Sequence, residues 1–141
     1  MITFTSGGPA LSSADVTNAE RKLGITFPAA LRRAYLSSNG GSPYPYVFEN
    51  DDLDTVVTEF LPLSGRTGTA IQTWTRLIRE QGLLPERYFP FAVDGGGDYF
   101  FVDCASPEGA VYIYRSDTSL DDRLLDLRME LDDFWASLKE E

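Results

Sequence analysis

The sequence predicts a mixed fold in which helices cover an antiparallel β-meander. Three observations carry that prediction. Residues 89–104, FPFAVDGGGDYFFVDC, alternate aromatic and β-branched residues with a period of two on either side of three glycines, the pattern of two half-buried strands joined by a tight reversal. Gly95, Gly96 and Gly97 allow positive φ at no Cβ cost, which that reversal needs. A third strand, Val111 to Arg115, follows a Ser106-Pro107-Glu108-Gly109 turn and completes a meander over 89–115, while apolar residues elsewhere recur at helical spacing.

In chain order, residues 1–11 read as an extended lead-in. Ser12 or Ser13 caps a first helix, Asp15 suits its positive end, and Val16, Ala19 and Leu23 form its apolar stripe before Gly24 stops it. Pro28 takes the first position of a second helix. Leu31, Ala34 and Tyr35 line its inner face, Arg32 and Arg33 point to solvent, and Asn39-Gly40-Gly41 ends it through left-handed geometry. Ser42-Pro43-Tyr44-Pro45 reads as a rigid turn and Tyr46-Val47-Phe48 as a short strand. Glu49-Asn50-Asp51-Asp52-Leu53-Asp54 is an acidic loop. Thr55 to Leu63 has strand propensity, with Pro62 marking an edge or an end. A third helix covers about residues 69–81, turning Ile71, Trp74, Leu77 and Ile78 inward, and Gly82 ends it. In the meander, Phe89, Phe91 and Val93 share one face, and Pro90, Ala92 and Asp94 the other. Beyond it, Leu120, Leu124, Leu127, Leu131, Phe134 and Leu138 keep helical spacing, which fits one helix from Ser119 to Lys139. The alternative is a strand over Arg123 to Arg128 and a helix from near Glu130.

A chain of 141 residues fits one domain, residues 1–141, with a real core. Nine Phe, seven Tyr and two Trp argue against disorder. The formal charge of −10 argues against nucleic acid and against an anionic membrane surface as partners; it suits a basic protein partner. A single cysteine, Cys104, excludes an intramolecular disulfide. Residues 1–9 lack the features of a secretory signal, and no apolar run approaches membrane length, so the expected compartment is the cytoplasm.

The chain has no histidine, which removes the commonest general base and metal ligand and with them Cys–His and Ser–His pairs. Neither a cofactor nor a metal is expected. Asp94, Asp98 and Asp103 form the best carboxylate cluster. Asp94 and Asp98 flank the glycines and have two readings, a carboxylate pair for catalysis or a divalent metal, and turn chemistry. The glycines are not a phosphate loop, since no lysine or helix follows and acids flank them. Cys104 reads as a buried, inert thiol. Tyr44 and Tyr46 lie beside the acidic loop and Tyr99 beside Asp98; aromatics next to acids suit an anchoring patch for a basic partner. The candidate partner-binding residues are therefore Tyr44, Tyr46, Glu49, Asp51, Asp52, Asp54, Asp94, Asp98 and Tyr99.

The stretches LGITFPAALRRAYLSSNGG at 23–41, FPFAVDGGGDYFFVD at 89–103, VYIYRSD at 111–117 and LDDFWASL at 131–138 follow one another in an order that resembles the SUKH superfamily, the group of the yeast Smi/Knr cell-wall regulators. The resemblance covers most of the chain and is weakest over 42–80. It implies an α+β fold, a single antiparallel sheet of about 4–6 strands with helices packed on it. It also implies a short strand before the last helix, which favours dividing 120–139. Bacterial members are often immunity proteins of polymorphic toxin systems, and eukaryotic members are regulatory interaction modules. The resemblance thus implies a non-enzymatic protein that neutralises a cognate toxin by occluding its active site, or alternatively a regulatory scaffold; a monomer or weak homodimer is the expected state.

Overall fold

The first helix starts where its capping residue predicts, whereas Pro28 caps the second from just outside it and not from its first position. The structure, a computed structural model, describes residues 2–65, 67–116 and 123–141. After β1 (Thr3–Thr5) comes α1 (Ser13–Leu23), where Ser12 Oγ accepts from Asp15 N at 3.1 Å and the Asp15 carboxylate accepts from Ser12 N at 2.8 Å. This reciprocal box satisfies two N–H groups that the first turn leaves without partners. α2 (Ala29–Ser37) buries Ala30, Leu31 and Tyr35.

The segment after α2 corrects the expected cap. The helix ends at Ser38 in extended geometry, φ −155°, and the left-handed residues are Gly40 and Gly41, further on. Their reason is close approach: a Cβ on Gly40 would lie 2.6 Å from the Phe60 carbonyl oxygen, and one on Gly41 2.7 Å from that of Thr5. Asn39 is buried, donates to the carbonyls of Pro9 (2.9 Å) and Ser64 (3.0 Å), and accepts from Leu63 N at 2.8 Å. The Asn-Gly-Gly run therefore joins three chain segments. Arg32 is a second correction. It is half-buried and pairs with Glu20 at 3.0 Å, while the other Glu20 oxygen accepts from Phe27 N at 2.7 Å, so it clasps α1 to α2.

β2 (Ser42–Tyr44) pairs with β1 in a two-stranded sheet, so the residues expected as a turn form a strand and the lead-in partners it. The remaining strands, β3 (Val47–Glu49), β4 (Asp54–Phe60), β5 (Tyr88–Asp94), β6 (Tyr99–Asp103), β7 (Ala110–Tyr114) and β8 (Leu124–Glu130), form one antiparallel sheet in chain order. Between β4 and β5, α3 (Ala70–Trp74) runs on into a π-helical segment, Thr75–Glu80, and Gly82 follows at φ 65°. α4 (Leu131–Ser137) follows β8 directly, so the divided reading of the C-terminal segment holds; Ser119 and Leu120 lie outside the described residues. Together these elements make an α+β fold.

The expected clean alternation in β5 fails. A bulge between Pro90 and Ala92 shifts its register on β6, and Tyr88 through Ala92 are all buried, so both faces of the strand are covered. The sheet curls around α4: Phe134 packs against Phe48 (5.4 Å between ring centroids), Phe91 (5.5 Å) and Phe100 (5.0 Å). Phe48 on β3 and Phe100 on β6 come within 6.4 Å although two strands lie between theirs in the sheet. Beyond α4, Lys139 exchanges backbone hydrogen bonds with Val47 at 2.9 and 3.0 Å and so covers the β3 edge.

Candidate partner-binding site

The curl brings the acidic loop and the glycine turn to one rim. In the loop, Asn50 Oδ1 accepts from the backbone of Asp52 (2.9 Å) and Leu53 (2.8 Å), which folds the chain back into β4. In the turn, Asp94 Oδ1 accepts from the N–H groups of Gly96 (3.0 Å) and Asp98 (2.9 Å), and Gly97 supplies positive φ, 88°. Thr55 ties the two together by donating to Asp94 Oδ2 at 3.0 Å. Between them, and closed on the far side by Ile113, Arg115 and Ser116 of the β7 end, lies a cavity of about 390 Å³.

The candidates separate into three groups. Asp54, Asp94 and Asp98 line the cavity. Asp94, however, is 8 % exposed, and its carboxylate is engaged by the three donors just named. It builds the turn and presents no charge outward, which corrects its expected place on a contact surface. Asp98 Oδ1 accepts from Ser116 N (3.3 Å) and Oγ (2.8 Å) and remains half-exposed. Glu49, Asp51 and Asp52 are exposed beside the cavity, but Glu49 pairs with Lys139 and Asp52 with Arg128 at 2.8 Å. The Lys139 pKa is raised by its hydrogen bond to Glu49 and by the charges of Glu49 and Asp54. Asp51, Asp54 and Asp98 are in no ion pair among the described residues.

The tyrosines do not join the cavity. Tyr44 is 51 % exposed and stands 6.2 Å from Tyr46, ring to ring, while its hydroxyl meets Glu140; that hydrogen bond raises the Tyr44 pKa. Tyr99 lines a separate groove of about 190 Å³ with Leu77, Leu83 and Tyr114, and its hydroxyl accepts from Arg76 at 3.2 Å. The groove shares Asp98 and Ser116 with the acidic cavity, so Asp98 stands on the ridge between an acidic hollow and an aromatic one.

Sequence reasoning missed Thr55, Arg115 and Ser116 as parts of this site, and Arg128 and Lys139 as neutralisers of the loop. Arg115 and Ser116 lie in the VYIYRSD stretch and the others in no quoted stretch, and only the curl of the sheet brings them together here. Among the described residues no group of His, Cys, Asp and Glu is arranged to hold a metal ion, and no helix is long and apolar enough to cross a membrane.

The class is thus an α+β protein with a curled six-stranded meander wrapped on a C-terminal helix and an acidic hollow at its rim. Residues 10–139 match the model of the SMI1 / KNR4 family (SUKH-1), and the chain belongs to that family. A search of curated proteins finds no match.

Proposed function

We propose that this protein is a non-enzymatic binding module that neutralises a toxin domain by filling a basic cleft on it. The observation that carries this reading is the joining of Asp54 and Asp98 at one hollow, with Asp51 beside it, in a chain of net charge −10. A nuclease toxin holds phosphates with Lys and Arg. A protein surface that offers carboxylates at one hollow and aromatic side chains in the adjacent groove competes for the same groups. Charge speeds the encounter, and packed aromatics slow release. Membership of the family supports a role in protein–protein contact.

The test is co-expression with the toxin domain encoded beside this gene. The expected result is rescue of growth and a complex that co-purifies and weakens with salt. Asp54→Lys and Asp98→Lys together abolish both. A complex without rescue moves the protein to the regulatory-scaffold class. Absence of both complex and rescue refutes the proposal.

A further inference from the structure

We propose that the groove between the Thr75–Glu80 π-helical segment and the ends of β6 and β7 seats one apolar side chain of the partner protein, a leucine or methionine flanked in its sequence by Lys or Arg. This specificity rests on the partner-binding reading above and deepens it. Size sets the occupant first. The groove holds about 190 Å³, below the roughly 300 Å³ at which pockets for whole small molecules begin, so it has room for a single side chain.

The walls come from two sides. On one, Gly82 (φ 65°) reverses the chain and Leu83 N donates to the Leu77 carbonyl at 2.9 Å, which sets Leu83 beside Leu77 with Gln81 exposed at the rim. The helix is π-wound just before this reversal, and π-winding is rare and recurs at functional sites. On the other side, Tyr99 and Tyr114 pair in register across β6 and β7. Arg76 donates to the Tyr99 hydroxyl at 3.2 Å and so is engaged with that wall. Leu83, Tyr99 and Tyr114 are each half-buried, so a side chain seated among them takes further apolar surface out of water. Charge sets the flanking residue. Asp98 borders both this groove and the acidic hollow, gives Oδ1 to Ser116, and is in no ion pair among the described residues. No Lys or Arg is among the residues lining the groove. The residue next to the seated one therefore meets Asp98 and, beyond it, Asp54 in the hollow. Lys or Arg is attracted there, and Asp or Glu is repelled. An apolar anchor with charged contacts around it is the arrangement of an interface hot spot.

The experiment titrates ¹⁵N-labelled protein with acetyl-Lys-Leu-Lys-amide, acetyl-Lys-Ser-Lys-amide and acetyl-Glu-Leu-Glu-amide while following the backbone amides of Gly97, Tyr99 and Ser116, with Gly24 as the reference. The lysine-flanked leucine is expected to shift the first three saturably and leave Gly24 in place. The serine peptide binds about tenfold more weakly or worse, and the glutamate peptide not at all. Asp98→Asn weakens the leucine peptide by about threefold. Gln81→Trp fills the groove and abolishes binding; because Gln81 is exposed that variant keeps its fold, which the unmoved Gly24 peak verifies. Equal binding of the leucine and serine peptides, binding of the glutamate peptide as tight as that of the lysine one, or undiminished binding to Gln81→Trp overturns the proposal. The peptide shifts need no toxin, so their appearance without a toxin complex upholds the groove and refutes neutralisation. Toxin rescue that survives Gln81→Trp upholds neutralisation and refutes the groove.

Discussion

Asp52 and Arg128 lie 2.8 Å apart although one is in the loop between the edge strand β3 and β4 and the other is in β8 at the opposite edge of the six-stranded sheet. The contact is possible only because the sheet curls, and it alters the electrostatics of the rim. Of four acids in the 49–54 run, Asp52 and Glu49 are matched by Arg128 and Lys139. Both Asp52 and Arg128 are well exposed, so their pair is screened and contributes little. Asp52→Asn is expected to lower stability by under about 1 kcal/mol, with the difference vanishing in about 1 M salt. Urea midpoints at low and high salt measure it. In the toxin assay, Asp52→Lys weakens binding less than Asp54→Lys, because the first charge is already compensated.

Asp94 behaves in the opposite way. Its carboxylate accepts three hydrogen bonds and is almost fully buried, so Asp94→Ala strands two backbone N–H groups and the Thr55 hydroxyl. A loss of about 1–2 kcal/mol is expected, because the donors are only part-buried and water takes up some of the bonding they lose. Thermal or urea unfolding checks it, and a loss under about 0.5 kcal/mol would show that the turn forms without the carboxylate.

Two glycines with nearly equal φ separate strain from crowding. Gly24 (φ 74°) has open space where a Cβ would point, whereas at Gly40 (φ 77°) the Cβ would sit 2.6 Å from both Phe60 O and Pro62 N. Gly24→Ala is expected to cost about 1 kcal/mol, the left-handed penalty alone. Gly40→Ala adds a backbone clash that no side-chain motion relieves and costs about 3 kcal/mol or more. Equal losses in the two variants would refute the close-approach explanation of the Asn-Gly-Gly run.

Much of the fold was legible because local chemistry and tertiary demand agree there. Ser12 with Asp15, Gly24, Trp74 with Leu77 and Ile78, and the alternation of β7 each announce their element, whereas β6 buries Phe100, Phe101 and Val102 in succession. Legibility failed where a distant segment decides. Ser42–Tyr44 carries turn residues, yet Thr3–Thr5 lies beside it and makes it a strand. Asn39-Gly40-Gly41 has the composition of a helix stop, yet its purpose is set by Phe60, Pro62 and Thr5. The rim failed in the same way. The run of acids was visible, but which of them are matched depends on Arg128 and Lys139, 76 and 90 residues away in the chain.

Cys104 gives the protein an alkaline limit. Burial pushes its thiol from 9.0 up to about 12, and the nearby charges of Asp103 and Glu20 act in the same direction. In the unfolded chain the thiol ionises from about pH 9, while the folded chain retains the proton until about pH 12. Across that window the folded state binds more protons than the unfolded state, so stability is complete below pH 9 and declines as pH rises. The slope approaches about 1.4 kcal/mol per pH unit for one group. Tyr35, buried with its hydroxyl donating to the Leu61 carbonyl at 2.9 Å, has its pKa raised well above 10.0 by burial and adds to the decline above that pH. Urea midpoints between pH 8 and pH 10 isolate the cysteine, and Cys104→Ser removes its part of the slope. Thiol labelling supplies a second readout, since the folded protein at pH 8.5 holds almost no thiolate and reacts only as it unfolds. Cys104 is half-buried, and a flat stability profile from pH 8 to pH 10, together with rapid labelling of the folded chain, would contradict a desolvated thiol at this position.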